Sequence, residues 1–266
     1  MSWFTPKCPV DLETKDWIEN AFNWLIEELG PDVLGAVEVA LPTEDSFPDP
    51  YDGSRSSVRR MVERVCGFMD VDPSSLELQF FENEEDASRL HPLAADGGSR
   101  AHDLGTYQVR RDGKYLIRLC LDQSRNPEMM VATIAHELGH VILLGEGRLD
   151  PEHPDHEPMT DLLTVFYGLG VFSANTAIVF EQWTNAQFQG WQIGGGGYLT
   201  EEMFGYALAL FAYARGESKP EWSSYLKINV RSYFKSGLKY IVKTGNTSVN
   251  RLSAGRGSDD PRIVSA

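Results

Sequence analysis

One stretch of this chain, from Pro127 to Gly145, is almost entirely apolar and yet carries three ionisable side chains close together. These are His136, Glu137 and His140. The apolar run predicts a single buried helix, with Asn126 as its N-terminal cap, a proline at its first position and a glycine at its end. At about 100° per residue, both imidazoles and the carboxylate fall on one arc of roughly 100°.

The spacing of the two histidines suits a metal ion. Side chains four residues apart lie on the same helix face, about 6 Å apart along the axis, so both imidazoles can ligate one zinc ion. Burial of three ionisable groups among aliphatic side chains would be unfavourable by several kcal/mol unless they were paired or metal-bound. Glu137 is left free to act as a general base that accepts a proton from the attacking water. We therefore predict a zinc ion held by His136 and His140.

A catalytic zinc site usually has three protein ligands, so a third donor is expected downstream. The segment after the predicted helix contains His153, His156, Glu157 and Asp161. Glu157 and Asp161 are four residues apart, so both can lie on one helix face. Pro158 places Glu157 at or just before the start of its helix. The other three side chains therefore remain open as alternative ligands.

The spacing excludes one zinc-enzyme pattern and resembles another. The metzincin pattern H-E-x-x-H-x-x-G-x-x-H would need glycine at position 143 and histidine at 146, where this chain has Leu143 and Glu146. With its downstream E-x-x-x-D, the chain instead resembles the gluzincins, the thermolysin-like zinc peptidases. The resemblance implies that Glu157 is the third zinc ligand, that Asp161 orients a ligand imidazole and that Glu137 is the catalytic base.

The same resemblance, which covers residues 127–165, implies an α+β fold of the zincin type. In such folds a small twisted mixed sheet lies over the active-site helix, an edge strand receives extended peptide, and a mainly helical C-terminal half follows. The resemblance also implies Zn²⁺ as the cofactor and a peptide or protein as the substrate. Small intracellular gluzincins such as the ImmA/IrrE-type regulators cleave one partner protein, which suggests a specific intracellular protein as one candidate substrate.

Hydrolysis would also need a donor besides zinc that stabilises the developing oxyanion. Three tyrosines are near the predicted site helices in the sequence: Tyr167, Tyr198 and Tyr206. We name Tyr198 as the candidate, because it borders the glycine-rich stretch that precedes the next helix.

Charge and cysteine content restrict the partners and the compartment of the chain. A formal net charge of −15 argues against nucleic acid or an anionic membrane as partner, since both would need a basic face. The N-terminal sequence lacks the basic region and apolar run of a signal peptide, and no apolar stretch approaches the roughly 20 residues of a membrane span. Cys8, Cys66 and Cys120 form no metal-type pair, as in a reducing cytosol. We expect a cytoplasmic protein, and its oligomeric state stays open.

Periodicity in the rest of the chain predicts one domain over residues 1–245, with an α/β half to about residue 145 and a helical half after it. The remainder, 246–266, has few large apolar residues and no period, which predicts a disordered tail. Helices are predicted over 14–29, 56–69, 200–216 and 220–242, strands over 37–41 and 76–81, a hairpin with a type I′ turn at Asp112-Gly113, and loops over 82–105 and 183–198.

Two functions fit these patterns. The first is zinc-dependent hydrolysis of peptide bonds, with Glu137 as general base. The second is a non-catalytic regulatory or binding module that zinc stabilises. An intact Glu137 favours the enzyme, because a structural zinc site has no use for a general base.

Overall fold

The computed structural model describes residues 6–82, 105–184 and 198–252. Within these ranges the chain has the predicted α+β composition, with eight α-helices and a small three-stranded mixed sheet. In chain order the elements are α1 (Leu12–Leu29), α2 (Pro31–Ala36), α3 (Arg55–Met69), β1 (Leu76–Phe81), β2 (Gly105–Val109), β3 (Tyr115–Cys120), α4 (Pro127–His140), α5 (His156–Phe166), α6 (Gly170–Thr184), α7 (Glu201–Ala214) and α8 (Ile228–Thr244).

The three strands lie in the order β1-β3-β2, with β3 in the centre. β1 runs parallel to β3, with Leu76 opposite Tyr115. β2 runs antiparallel to β3, with Val109 opposite the same tyrosine. Among the described strands β2 is therefore at an edge of this sheet, and it also contacts helix α4.

The β2–β3 hairpin forms where it is predicted, but its turn is not type I′. A type I′ turn needs positive φ at both central residues, and within the described ranges the only non-glycine residue with positive φ is Asp70. Gly113 has a φ of +81° and donates its N–H to the carbonyl of Arg110, whose own N–H donates to the carbonyl of Lys114 at 2.8 Å. The connection is a three-residue loop closed by a glycine bulge, in which only the glycine takes positive φ.

Helix α4 lies in the centre of the core. Its residues from Met129 to His140 are all buried, and it contacts α3, α5, α6 and β2. The predicted cap is present, since the side-chain oxygen of Asn126 accepts a bond from the Met129 N–H at 3.2 Å. After His140 the chain continues as one π-helical turn, Val141–Gly145. The predicted helix is thus confirmed, with a wider last turn.

Two predicted elements differ in the structure. Residues 37–41 form no strand, because Ala40 makes a single backbone bond to the carbonyl of Gly168 instead of a ladder of such bonds. The predicted last helix is divided into a 3₁₀ turn, Glu221–Tyr225, and helix α8. Helix α8 runs through Gly237 without a break, since this glycine packs closely against α7.

The predicted disordered tail begins too early. Residues 246–252 pack on the core, where Val249 is 2% exposed. Ser248 donates its N–H to the buried carboxylate of Glu19 at 3.0 Å. The bond to Glu19 holds this segment on the core although it has few apolar residues. Its composition therefore predicted a start of the disordered tail that is too early in the chain. The rest of the predicted tail, 253–266, lies outside the described residues.

Most of the predicted loops 82–105 and 183–198 also lies outside the described residues. In the part of the chain that the structure describes, no helix combines the length and the apolar character that crossing a membrane requires.

A buried polar network joins α1 to α7 and to the C-terminal segment. Lys15 Nζ lies 3.0 Å from Glu19 Oε2, and Tyr206 donates its hydroxyl to Glu19 Oε1 at 2.6 Å. Burial by itself raises the pKa of Glu19, but the bonds from Tyr206, Ser248 and Lys15 outweigh this effect, so the pKa is lowered. The fold therefore stabilises the charged form of Glu19.

Replacement of Glu19 by glutamine is expected to lower the free energy of unfolding by about 3 kcal/mol, because buried Lys15 then loses its buried charged partner and keeps only the exposed carboxylate of Asp16, at 3.7 Å. The wild-type protein has this stabilisation in full above the ordinary pKa of a glutamate and loses it as pH falls through the lowered pKa of Glu19. Tm measured against pH should therefore fall more steeply on acidification for the wild type than for Glu19→Gln. The exposed Glu27 on the same helix supplies the matched control, Glu27→Gln. Parallel Tm curves for wild type and Glu19→Gln would contradict this role.

Candidate metal centre

Helix α4 presents the two predicted histidines on its buried face. His136 is 6% exposed and His140 is 7% exposed. Their ring centroids lie 4.8 Å apart, and the rings meet edge to face at 87°. One helical turn thus holds two imidazoles in contact, as the i, i+4 spacing predicts.

Glu157, in the first turn of α5, faces both imidazoles. Its Oε2 atom lies 3.0 Å from His136 Nε2 and 3.6 Å from His140 Nε2. One donor atom from each of these three residues lies within 4.8 Å of the other two. The two Nε2 atoms and a carboxylate oxygen therefore converge on a single point.

The other nitrogen of His136 is held by Asp161. His136 Nδ1 lies 2.9 Å from Asp161 Oδ1, and Asp161 Oδ2 accepts the N–H of Leu199 at 2.9 Å. Both carboxylate oxygens of Asp161 are thus occupied. This carboxylate orients the first imidazole so that its Nε2 points to Glu157.

The other nitrogen of His140 is held by Thr160. His140 Nδ1 lies 3.3 Å from Thr160 Oγ1, and the Thr160 hydroxyl donates its proton to the carbonyl of His156 at 2.8 Å. The Thr160 hydroxyl has only one proton, so toward His140 its oxygen can act only as an acceptor. His140 therefore carries its imidazole proton on Nδ1. The Nε2 lone pair of His140 is then directed at Glu157.

Helix α5 is fixed closely beside α4 at this point. A Cβ atom at Gly139 would lie 2.7 Å from Thr160 Cγ2, so the glycine makes room for the threonine. The loop before α5 is tied to α1, since Trp17 donates its indole N–H to Asp155 at 3.0 Å. These contacts fix the position of Glu157 relative to the two imidazoles.

The site has a strong preference for positive charge. Burial lowers the pKa of His136, but Asp161 and Glu157 outweigh it, so the pKa is raised well above its ordinary value. Burial raises the pKa of Glu157, but His136 and His140 outweigh it, so the pKa is lowered well below its ordinary value. Acceptor atoms on Glu157 and the imidazoles can face each other only if a proton or a cation lies between them. The donor set of two imidazoles and one carboxylate fits zinc in this role.

The four candidates for a third metal ligand lie in different positions relative to the two imidazoles. Asp161 lies behind His136 with both oxygens engaged, away from the point where the donors converge. His156 Nδ1 lies 3.6 Å from Glu157 Oε1 and is not among the converging atoms. His153 Nδ1 accepts the N–H of Asp155 at 3.1 Å. Glu157 is the candidate that the fold brings to both imidazoles.

Glu137 and Tyr198, the predicted catalytic residues, also lie in this region. Glu137 is 4% exposed and lies next to His136 on α4. The ring of Tyr198 lies 5.3 Å from the His136 ring, at 51°, and lines a recess beside it. The other two candidate tyrosines are in the core, where Tyr206 donates to Glu19 and Tyr167 packs on Phe166, so Tyr198 alone of the three contacts His136.

Three further contributors to the site are not among the residues predicted from the sequence. Thr160 follows His156 by one helical turn, a spacing that favours its bond to the His156 carbonyl and could have indicated its role. The backbone N–H of Leu199 and the ring of Tyr107, which lies 6.0 Å from the His140 ring, come from distant segments. No local pattern points to either of them.

Comparisons of the chain with protein-family models, with curated proteins and with solved structures found no match.

Loss of a residue that only hydrogen-bonds a metal ligand lowers metal affinity by roughly 10-fold to 100-fold. Glu157→Ala is expected to lower zinc affinity by more than this, because it removes a proposed zinc ligand. The measurement is competition for zinc with a chromophoric chelator. His156→Ala is the matched control in the same helical turn and should still bind one zinc ion per chain. Loss of zinc from His156→Ala, with retention in Glu157→Ala, would reverse the assignment of the third ligand.

Thr160→Val, which keeps the shape of the side chain but removes the acceptor for His140 Nδ1, is expected to lower zinc affinity by about 10-fold to 100-fold. Thr160→Ser keeps the hydroxyl and should bind zinc much more tightly than the valine variant. Chelator competition on both proteins provides the comparison. Equal affinities for the two variants would show that the hydroxyl does not orient His140.

Proposed function

We propose that this protein is a zinc-dependent peptidase of the gluzincin type, with a zincin-like fold. His136, His140 and Glu157 would hold the ion, and Glu137 would act as general base. The observation that carries the proposal is the convergence of three donor atoms within 4.8 Å, two of them imidazole nitrogens whose partner nitrogens are already engaged.

The donor set favours a catalytic over a structural zinc site. Structural zinc ions usually have four protein ligands, most of them cysteines, whereas catalytic ions have three and keep one position open. Only three donors converge within the described ranges, and Cys8, Cys66 and Cys120 are free thiols outside this group. When bound, zinc supplies Lewis acidity, which lowers the pKa of a water molecule to about 7 and polarises a carbonyl group.

The residues around this ion have separable roles. Glu137 would take a proton from the attacking water and return it to the leaving amine. Asp161 and Thr160 would keep both imidazoles in the orientation that ligation needs, and the negative charge of Asp161 would strengthen His136 as a donor. Tyr198, against the His136 ring, is the candidate to stabilise the oxyanion.

We propose a peptide or a specific intracellular protein as substrate. Edge strand β2 runs beside the site helix, where an extended chain could add to the sheet. The three free thiols agree with a reducing cytoplasm. The net charge of −15 disfavours nucleic acid and anionic membranes as partners.

Glu137→Gln tests the base directly. The variant is expected to keep its bound zinc and its Tm but to lose about 10²-fold to 10⁴-fold in the rate of peptide cleavage, since a glutamine takes no proton. Cleavage is followed with a library of fluorescence-quenched peptides, and zinc content is measured by elemental analysis.

Glu128→Gln is the matched control, because it makes the same change in the first turn of the same helix. It should cleave at the wild-type rate. Unaltered cleavage by Glu137→Gln would refute the proposed base. A wild-type protein that binds zinc tightly but cleaves neither a peptide of the library nor a protein of a cell extract would favour the non-catalytic zinc-stabilised module.

A further inference from the structure

Three aromatic rings form a column that leads from the sheet to the metal centre. Tyr115, on the central strand β3, lies 6.0 Å from Tyr107 on edge strand β2, with the rings 29° apart. Tyr107 in turn lies 6.0 Å from His140, with the rings 27° apart. These are the distances and angles of offset stacking. The hairpin therefore reaches one face of the second zinc-binding imidazole.

Gly145 provides the space for this column. A Cβ atom at this position would lie 2.5 Å from Tyr115 Cε1 and 2.7 Å from Tyr107 Oη. Tyr115 also donates its hydroxyl to the Gly145 carbonyl at 3.2 Å. Gly145 does not have a positive φ, so its backbone conformation does not require a glycine. The position requires a glycine because a side chain would collide with the two tyrosines. The π-helical turn after His140 brings it there.

The remaining sides of His140 are already occupied. The His136 ring meets it edge to face, the His156 ring lies 6.0 Å away, and Thr160 holds Nδ1. A single hydrogen bond leaves an imidazole able to swing about that bond. Contact with Tyr107 on the ring face opposes this motion.

We propose that Tyr107 is a positioning residue of the metal centre, which acts through the stack of its ring on His140. The proposal rests on the proposed function, since it assumes that His140 ligates zinc. The ring is the active part, because the buried Tyr107 hydroxyl has no hydrogen-bond partner among the described residues. The β2–β3 hairpin thereby controls how well the second imidazole is aligned.

The test compares zinc affinity and the visible absorption of the Co²⁺-substituted protein in three variants. Tyr107→Leu removes the ring and should bind zinc about tenfold more weakly, the lower end of the loss seen for outer contacts. It should also change the Co²⁺ spectrum. Tyr107→Phe keeps the ring and should match the wild type in both. Gly145→Ala pushes a methyl group into both tyrosines and should resemble Tyr107→Leu.

Two controls separate the proposal from simple loss of stability. Tyr225→Leu makes the same change at an exposed tyrosine outside the site and should leave affinity and spectrum unchanged. Tm in excess chelator reports the stability of the metal-free form. If Tyr107→Leu does not fold, Gly145→Ala and Tyr107→Phe still test the column by their opposite expected results.

The outcomes distinguish this proposal from the proposed function. Wild-type affinity and spectrum in Tyr107→Leu, with zinc lost in His140→Ala, would overturn the positioning role and leave the zinc site intact. Equal losses in Tyr107→Phe and Tyr107→Leu would overturn the role of the ring. A wild-type protein that binds no zinc at one ion per chain would overturn the proposed function itself.

Discussion

The proposed metal centre depends on the enclosure of two imidazoles and two carboxylates in an apolar interior. Groups of this kind are stable there only when opposite charge and hydrogen bonds compensate for lost water. The raised pKa of His136 and the lowered pKa of Glu157 have the same cause: the pair is stable when a positive charge lies between the imidazole and the carboxylate. A divalent ion meets this requirement with three donors at once, whereas a proton can bridge only two.

The rest of the fold keeps those donors in place. Helix α5 approaches α4 because Gly139 has no side chain, and the β2–β3 hairpin approaches because Gly145 has none. One of these glycines lies just before His140 and the other ends the π-helical turn that follows it. The second histidine is therefore enclosed by α5 on one side and by the sheet on another. The first histidine depends on Asp161, which is held in turn by the backbone ahead of α7.

Local rules account for the predictions that the structure bears out. The helix of His136 and His140 was predictable because its apolar run, its Asn126 cap and its first proline act within a few residues. The failures concern contacts that no local rule describes. Residues 37–41 have the composition of a strand but pair with no strand in the described part of the chain. Residues 246–252 are mostly polar but are anchored by Glu19. The hairpin turn differs by one residue, which spares Asp112 an unfavourable positive φ.

The sequence by itself determined that two imidazoles and an adjacent carboxylate share one buried helix, because helical periodicity places them on one arc whatever the rest of the chain does. It also limited the candidates for a third donor to four side chains in one short segment. Only the tertiary structure showed which of them faces both imidazoles, since the direction of Glu157, the contact of Thr160 with His140 and the position of the Tyr107 ring depend on how α5 and the hairpin pack against α4. Such contacts join residues far apart in the chain, and their geometry exists only once the core has formed.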